Sequence, residues 1–306
     1  MGFIGYEQVV QNRNQNGTFK RKISDEKLKE IIKRYISGES GTTISKIMGI
    51  PFTTIFDLLR KNGIKTRPAK ESRRLHYCDE NIFNDISEGS AYWAGFIMAD
   101  GSILERPNRQ GRLVIKLAIK DKDHLEKFRK FIKSDYEVKY TTSLCSNGVR
   151  TDQCYINVHS SKITAALARY GIDQQKSYRG ANEIVTKDVN FWRGVIDGDG
   201  TIHVGTSPGR CRVGLVGNKF LLTQFKEFCD YLGISYCGPR DEHPKKMFSF
   251  WVCGSNAIIL CKFLYESSRT YLERKYLRAQ GIIKYENCMG TRVERNYNQF
   301  FKSGII

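Results

Sequence analysis

Apolar residues recur at helical spacing in the first quarter of the chain and predict three short helices. Ser24 is a good N-cap for the first helix, whose apolar positions include Ile31 and Tyr35. The second helix covers about residues 42–48 and ends in the turn Gly-Ile-Pro, and the third covers about residues 52–61. In the third helix, Ile55, Leu58 and Leu59 are expected to face the other helices, while Phe56 is expected to face outward.

Helix, tight turn and helix is the layout of the helix-turn-helix motif, which binds DNA. The extended basic segment Ile-Lys-Thr-Arg-Pro that follows suits a groove or a phosphate backbone. A small helical domain with a solvated basic face is the alternative interpretation. On the first interpretation, the candidate DNA-binding residues are Thr53, Thr54, Arg60, Lys65 and Arg67.

From about residue 85 onward, alternation with a period of two predicts strands separated by amphipathic helices. Residues 112–120 place Leu113, Ile115, Leu117 and Ile119 on one face and cationic residues on the other. Residues 155–159 and 210–213 alternate in the same way, and helices are expected at 121–133 and 218–232. A sheet with one core face and one basic face follows, although exposed basic residues are also common on solvated sheets. The candidate DNA-binding residues on these strands are Arg112, Lys116, Lys120, Arg210 and Arg212.

The charge balance indicates a polyanionic partner. Among 306 residues, 50 Lys and Arg face 32 Asp and Glu, which gives a net charge of +18. Nucleic acid or an acidic membrane surface would suit that excess. No apolar run long enough to span a bilayer occurs and the basic residues lie within aromatic-rich segments, so we expect nucleic acid and no membrane. The nine cysteines form no CxxC pair, which favours free thiols in a reducing compartment.

An internal repeat organises the rest of the chain. Residues 92–103 read YWAGFIMADGSI and residues 191–202 read FWRGVIDGDGTI, so that Asp100 and Asp199 are 199 − 100 = 99 positions apart. Lys176 and Lys275 keep the same offset, 275 − 176 = 99. Two halves of similar plan predict approximate two-fold symmetry within one chain.

Small residues recur four positions apart on one face of each copy of this motif, which lets two helix backbones approach closely. Packing of the two copies against each other would bring Asp100 and Asp199 together at the helix ends. Gly101 and Gly200 are then expected to turn the chain in a left-handed conformation. The small residues are Gly95, Ala99, Gly194 and Gly198.

Two carboxylates at helix C-termini repel each other and face the negative end of each helix dipole. A divalent cation with oxygen ligands would offset this repulsion, and DNA phosphates would complete its coordination shell.

The segments WAGFIMADG and WRGVIDGDG resemble the two signature helices of double-motif LAGLIDADG homing endonucleases, over about residues 85–285. The resemblance implies an α+β fold of two pseudo-symmetric αββαββα halves, whose antiparallel sheets form a saddle on the DNA major groove. It implies that Asp100 and Asp199 bind catalytic Mg2+, with Mn2+ as a substitute, and that Lys176 and Lys275 support the scissile phosphate. The earlier acidic position of the motif departs from symmetry, since it is Met98 in one copy and Asp197 in the other.

These observations predict four segments. They are an N-terminal arm and helix-turn-helix domain at 1–65, a basic linker at 66–84, the first half at 85–187, and the second half with a C-terminal tail at 188–306. The predicted function is double-strand cleavage of a long DNA site by a monomer, as in intron homing, in the cytoplasm of a bacterial or phage-infected cell or in an organelle matrix. A catalytically inactive DNA-binding regulator and an intron RNA maturase are the alternatives.

Overall fold

The computed structural model divides the chain into two compact units, Met1–Leu75 and His76–Ile306. Each unit has its own hydrophobic core. The structure describes residues 23–66, 76–144, 148, 150–242 and 247–286. Within these residues, no helix combines the length and the apolar composition that crossing a bilayer requires.

The first unit contains the three predicted helices, α1 (Asp25–Ile36), α2 (Gly41–Met48) and α3 (Phe52–Lys61). The side chain of Ser24 accepts a hydrogen bond from a backbone N–H in the first turn of α1, as expected of an N-cap. Gly49 ends α2 in the left-handed region at φ 64°, where glycine meets no steric penalty. The core of the unit consists of Ile31, Tyr35, Ile44, Ile55 and Leu59.

Phe56 was expected to face outward with the polar residues of α3, and that expectation is wrong. Its ring is half-buried and packs edge-on against Tyr35, with 6.1 Å between the ring centroids. The ring also lies where a side chain on Gly41 would be, so glycine at the start of α2 makes room for it. The apolar face of α3 is therefore wider than its spacing pattern indicated.

The second unit begins with the first half of the repeat, which has the predicted order αββαββα. Its four strands form one antiparallel sheet in the order β1-β2-β4-β3. The elements are α4 (Glu88–Asp100), β1 (Gly101–Leu104), β2 (Arg112–Ala118), α5 (Lys122–Phe131), β3 (Lys139–Leu144), β4 (Arg150–His159) and α6 (Ser161–Arg169).

The second half repeats the same order after a one-turn helix, α7 (Glu183–Thr186). Its sheet has the equivalent order β5-β6-β8-β7, also antiparallel, and one further helix follows it. The predicted α+β class with two αββαββα halves is confirmed. The elements are α8 (Val189–Gly198), β5 (Thr201–His203), β6 (Arg212–Gly217), α9 (Lys219–Tyr231), β7 (Cys237–Glu242), β8 (Met247–Cys253), α10 (Ser255–Tyr265) and α11 (Glu273–Ile283).

Helices α4 and α8 pack backbone against backbone through the small residues of the two motifs. A Cβ on Gly95 would overlap the carbonyl of Phe191, and a Cβ on Gly194 would overlap the carbonyl of Tyr92. Only residues without a side chain permit this approach at those positions. The predicted close pairing of the signature helices therefore holds the two halves together.

Gly101 and Gly200 were expected in left-handed turns, and that expectation is wrong. Gly101 is extended, with φ −78° and ψ 153°, and neither glycine has a positive φ. A Cβ at either position would lie 2.6 Å from the carbonyl oxygen of the residue four positions earlier, Ile97 or Ile196. Lack of space next to the helix end, and not backbone handedness, accounts for glycine at both positions.

Two strands have bounds that differ from those predicted. Strand β2 ends at Ala118, and residues 119–121 form a turn of 3-10 helix, so that Ile119 is 43% exposed and not in the core. Lys120 lies in this turn and not on the sheet. Arg210 likewise belongs to a 3-10 turn at 208–210, and β6 begins only at Arg212.

Part of the predicted linker is packed and not extended. Cys78 and Phe83, which lie within the predicted linker 66–84, are 2% and 0% exposed and belong to the core of the second unit. The backbone N–H of Asp79 also donates to the carbonyl of Ile132, at 2.8 Å. Residues 76–84 are therefore part of the second unit.

Candidate active site

The two signature helices end side by side, and an aspartate lies at the end of each. Asp100 is the last residue of α4, and Asp199 directly follows the last residue of α8. A Cβ on Gly198, the residue before Asp199, would lie 3.3 Å from Oδ2 of Asp100. The helix pair therefore brings both carboxylates to one place on the pseudo-two-fold axis.

The electrostatics of this pair favour a further cation. Loss of solvation and the negative charge of Asp199 raise the pKa of Asp100 to about 6. Loss of solvation also raises the pKa of Asp199, although that residue keeps exposed surface. Lys176 and Lys275 act in the opposite direction on both groups, yet both pKa values remain raised. The protein's own cations therefore compensate the two carboxylates only in part.

The two carboxylates of Asp100 and Asp199 fit Mg2+ better than a metal ion that needs a complete set of protein ligands. Within the described part of the chain, no three His, Cys, Asp or Glu side chains form a metal-binding group. Mg2+ is commonly bound by one or two carboxylates together with water and substrate phosphates. Asp100 and Asp199 supply such carboxylates, with hard oxygen atoms and insufficient compensating charge.

Lys176 lies beneath the end of the first signature helix. Only 8% of the residue is exposed, and its Nζ donates to the carbonyl oxygens of Met98 and Ala99 at 2.6 and 3.1 Å. Carbonyls in the last turn of a helix lack partners within the helix, so the ammonium group satisfies them. Burial lowers the pKa of Lys176, while Asp199 and Asp100 act to raise it.

Lys275 occupies the equivalent place at the second signature helix. Its Nζ donates to the carbonyls of Ile196 and Gly200, and only 3% of the residue is exposed. Burial lowers its pKa to about 8, and the charge of Arg274 contributes in the same direction. Each lysine therefore fixes the backbone that carries its own aspartate.

Asp197, the acidic residue of the second motif that has no counterpart in the first, is completely buried. Its carboxylate accepts hydrogen bonds from the hydroxyl groups of Tyr92 and Tyr265, at 2.7 and 2.6 Å, and from the backbone N–H of Leu272, at 2.7 Å. Burial nevertheless raises its pKa to about 6. Because Tyr92 is on α4 and Leu272 precedes α11, Asp197 connects both signature helices to the helix that carries Lys275.

A buried arginine supports the same interface. Arg193 on α8 is 2% exposed, and its guanidinium donates to the carbonyls of Thr270 and Leu264 at 2.9 and 3.1 Å. It also contacts Glu88, at the start of α4, at 3.4 Å. This arginine therefore ties the loop before α11 to both signature helices.

Arg274 is a further cation near the carboxylates, and it has no counterpart in the first half. Its Nε lies 3.0 and 3.1 Å from the two carboxylate oxygens of Asp121, and its charge lowers the pKa of Asp100. Applying the repeat offset of 99, we find Gln175 at the equivalent position of the first half.

Two of the predicted DNA-binding residues in the first half share the exposed face of the sheet. Arg112 and Lys116 are exposed on β2, while the residues between them at 113 and 115 are buried. Lys116 donates to the hydroxyl of Ser143 at 3.0 Å, and Ser143 donates to Gln153 at 2.6 Å. The open face therefore presents a polar row across three strands, whereas Lys120 lies beyond the end of β2.

The sheet of the second half presents a different exposed face. Arg212 is exposed at the start of β6, but the next residue on that face, Gly214, is covered by the ring of Trp251. Arg240 is exposed on β7 opposite Ser249. The two sheets are thus alike in topology and unlike in the chemistry of their open faces.

The candidates in the first unit are mostly on its surface. Thr53, Arg60 and Lys65 are exposed and Thr54 is half-buried. Arg60 pairs with Asp57 at 3.1 Å. Arg67 lies outside the described residues. The DNA-binding role of this unit stays a prediction.

Sequence reasoning missed Arg274 as a site residue and left the role of Asp197 open. The repeat itself carried the signal for both. The repeat offset of 99 relates Tyr92 to Phe191 and Asp197 to Met98. A polar pair of residues in one combination therefore corresponds to an apolar pair in the other. The aligned copies also differ in charge at position 274.

No known family profile and no curated protein matches the chain. Among solved structures, it is similar to the meganuclease I-SmaMI bound to uncleavable DNA, with 12% identity over 70% of this chain and 95% of the other and a TM-score of 0.43. It is similar to the homing endonuclease I-WcaI bound to its DNA recognition sequence, with 9% identity over 71% and 97% and a TM-score of 0.47. It is also similar to full-length DUF199/WhiA from Thermatoga maritima, with 14% identity over 74% and 71% and a TM-score of 0.40.

Proposed function

We propose that this chain is a site-specific DNA endonuclease of the LAGLIDADG type, which acts as a monomer and cuts both strands by Mg2+-dependent phosphodiester hydrolysis. The observation that carries the proposal is the pairing of α4 and α8, which places Asp100 and Asp199 together at the pseudo-two-fold axis. A site with approximate two-fold symmetry matches the antiparallel strands of a DNA duplex.

Asp100 and Asp199 would hold Mg2+, and scissile phosphates would supply the remaining charged oxygens. When bound, Mg2+ activates water and neutralises charge that develops at phosphorus. Lys176 and Lys275 donate to carbonyls at the helix ends, so they fix the backbone that carries Asp100 and Asp199. Charged groups that are held in position before the reaction lower the activation barrier more than mobile ones, because little rearrangement is then needed.

The charge of the protein supports a duplex DNA substrate. A net charge of +18 attracts phosphate, and Arg112, Lys116 and Arg212 are exposed on the open faces of the two sheets. Side chains on these faces would contact base edges in the major groove. The first unit would contact a flanking segment through Thr53, Arg60 and Lys65, which lie on its surface.

The test starts from a duplex that the protein itself selects from a randomised pool without divalent ions. In Mg2+ the parent protein should cut this duplex, and EDTA should prevent cutting. Asp100→Asn and Asp199→Asn should each lower the cleavage rate by about 1,000-fold or more while leaving affinity for the duplex within about threefold. Cleavage that survives both substitutions would contradict the proposal.

Two other outcomes would each favour an alternative function. Tight binding of the selected duplex without cleavage in Mg2+ or Mn2+ would indicate a DNA-binding regulator. Binding of intron RNA, with splicing that persists in both aspartate variants, would indicate a maturase.

The contribution of the first unit is tested with full-length protein. Replacing Thr53, Arg60 and Lys65 together by alanine should weaken binding of the selected duplex by about tenfold or more, because phosphate contacts are lost. The cleavage rate at saturating protein should stay unchanged, since these residues lie in the other unit. Unchanged affinity would contradict a DNA-binding role for the surface of α3.

A further inference from the structure

The two halves differ in charge at the point where the last helix of the second half begins. Arg274 is in the first turn of α11, and the residue equivalent to it by the repeat offset is Gln175. Both residues immediately precede the lysine that fixes a signature helix. Gln175 is exposed and accepts a hydrogen bond from Arg179. The second half therefore has a cation where the first half has a neutral side chain.

Asp121 holds Arg274 in position and does not cap the helix that it precedes. Asp121 is at the N-cap position of α5, yet its side chain makes no capping hydrogen bond. Its carboxylate instead pairs with Nε of Arg274, and the residue is only 8% exposed. A buried carboxylate with two close contacts to the guanidinium restricts the orientation of that group.

The equivalent residue in the second half behaves in the ordinary way. Asn218, which is 218 − 121 = 97 positions after Asp121, caps α9 by accepting a hydrogen bond from the N–H of Leu221 at 2.9 Å. Its amide donates to the carbonyl of Arg179 at 3.0 Å. In each half, the N-cap residue contacts the segment next to the buried lysine of the other half. Only the contact made by Asp121 orients a cation, since Asn218 contacts a backbone carbonyl.

The orientation leaves the terminal nitrogens of Arg274 available. Within the described part of the chain, neither of its two Nη atoms has a hydrogen-bond partner, and 40% of the side chain is exposed. Arg274 directly precedes Lys275, whose Nζ donates to the carbonyls of Ile196 and Gly200 on either side of Asp199. A planar guanidinium whose two Nη atoms are both free to donate is well suited to phosphate oxygens.

We propose that Arg274, oriented by Asp121, contacts the scissile phosphate on one side of the pseudo-two-fold axis only, so that the two DNA strands are cut at unequal rates. This inference rests on the endonuclease function proposed above. The faster strand is the one whose phosphate receives the additional cation, because a positioned arginine stabilises negative charge that increases in the transition state.

The experiment uses the selected duplex with a different label on each strand, full-length protein in excess and Mg2+. The two nicking rate constants are measured separately, and the parent protein should show a ratio of about ten between the strands. Arg274→Gln, which gives the second half the residue of the first, should lower the faster rate constant and bring the ratio close to one. Asp121→Asn should also lower the ratio, since asparagine retains no charge to hold Arg274.

A reciprocal exchange is the matched control. Combining Arg274→Gln and Asp121→Asn with Gln175→Arg and Asn218→Asp moves the arginine and its carboxylate to the other half and should invert the ratio. Tryptophan fluorescence during urea unfolding shows whether each variant remains folded.

A parent ratio near one, or an unchanged ratio in a folded Arg274→Gln protein, would overturn this inference and leave the endonuclease proposal intact. Failure of the parent protein to cut either strand would instead contradict the endonuclease proposal, and this inference with it.

Discussion

The two halves of the second unit share one plan and differ where their signature helices meet. Each half has the order αββαββα, and its first helix ends at an aspartate. At the interface, Tyr92 of the first copy contacts Asp197 of the second. The positions related to these by the repeat, Phe191 and Met98, are both apolar and buried.

This difference shows that two copies of a repeat can diverge at two contacting positions together. A buried carboxylate is tolerated at Asp197 because two hydroxyl groups and a backbone N–H are directed at it. At position 98 the residue that the repeat relates to Tyr92 is Phe191, which has no hydroxyl group to donate to a carboxylate. The second copy can therefore carry a buried aspartate because the residues packed against it supply hydrogen-bond donors.

The largest effect is expected from Asp197→Leu. The substitution removes the carboxylate that accepts hydrogen bonds from the hydroxyl groups of Tyr92 and Tyr265 and from the backbone N–H of Leu272, and should lower the free energy of unfolding by about 3–5 kcal/mol. Met98→Leu changes the equivalent residue without removing a polar partner and should cost less than about 1.5 kcal/mol. Urea unfolding followed by tryptophan fluorescence measures this unit alone, since all three tryptophans lie within it.

Equal losses of stability in Asp197→Leu and Met98→Leu would contradict this difference between the two halves. A double variant provides a stricter test, because Asp197→Met with Tyr92→Phe reproduces the apolar pair Met98 and Phe191. Tyr92→Phe should destabilise the Asp197→Met protein less than it destabilises the parent, since no carboxylate then remains to be satisfied.

A smaller loss is expected where the helix backbones touch. Gly95→Ala and Gly194→Ala should each lower the free energy of unfolding by about 1–3 kcal/mol, because the added methyl group meets a backbone carbonyl of the other helix. Gly209→Ala is the matched control, since a Cβ there meets nothing within 4 Å. If all three variants unfold alike, the close approach of α4 and α8 is wrong.

Asp100→Asn is expected to stabilise the protein at neutral pH. The pKa of Asp100 is raised from 3.8 to about 6 in the folded state, so ionisation destabilises the fold as pH rises through that window. The variant should exceed the parent by about 1–2 kcal/mol at pH 7.5, after allowance for partial solvent screening. Well below pH 3.8 the carboxyl group is neutral in both the folded and the unfolded state, and the difference should vanish.

Magnesium sharpens this prediction. Mg2+ should raise the unfolding midpoint of the parent at pH 7.5 and leave that of Asp100→Asn nearly unchanged, because ligand binding stabilises only the folded state that binds it. A stability difference that is the same at pH 4 and pH 7.5 would show that ionisation of Asp100 is not its cause.

The smallest effect concerns the N-cap positions that differ between the halves. Asn218→Ala removes the capping hydrogen bond of α9 and should lower the free energy of unfolding by about 1 kcal/mol. Asn218→Asp keeps a capping oxygen and should remain within about 0.5 kcal/mol of the parent. Equal losses in both variants would attribute the effect to the contact of Asn218 with Arg179 and not to the cap.

The resemblance of the two motifs to a known family implied the order of elements in each half, and the sequence alone determined the repeat and the two terminal aspartates. These features depend on local patterns, namely apolar periodicity, small residues four positions apart and an offset of 99 between aligned copies. Strand ends were less predictable, because the alternation of apolar and polar residues runs through Ile119, past the end of β2 and into a 3-10 turn.

The tertiary structure alone decided how the site is built around those aspartates. The contact of Asp121 with Arg274 joins residues 153 positions apart, and the contact of Tyr92 with Asp197 joins residues 105 positions apart. Lys176 and Lys275 contact backbone carbonyls, which have no residue identity to be recognised in a sequence. A pattern along the chain places side chains on a face, whereas the partner of a charge depends on which distant segment packs against that face.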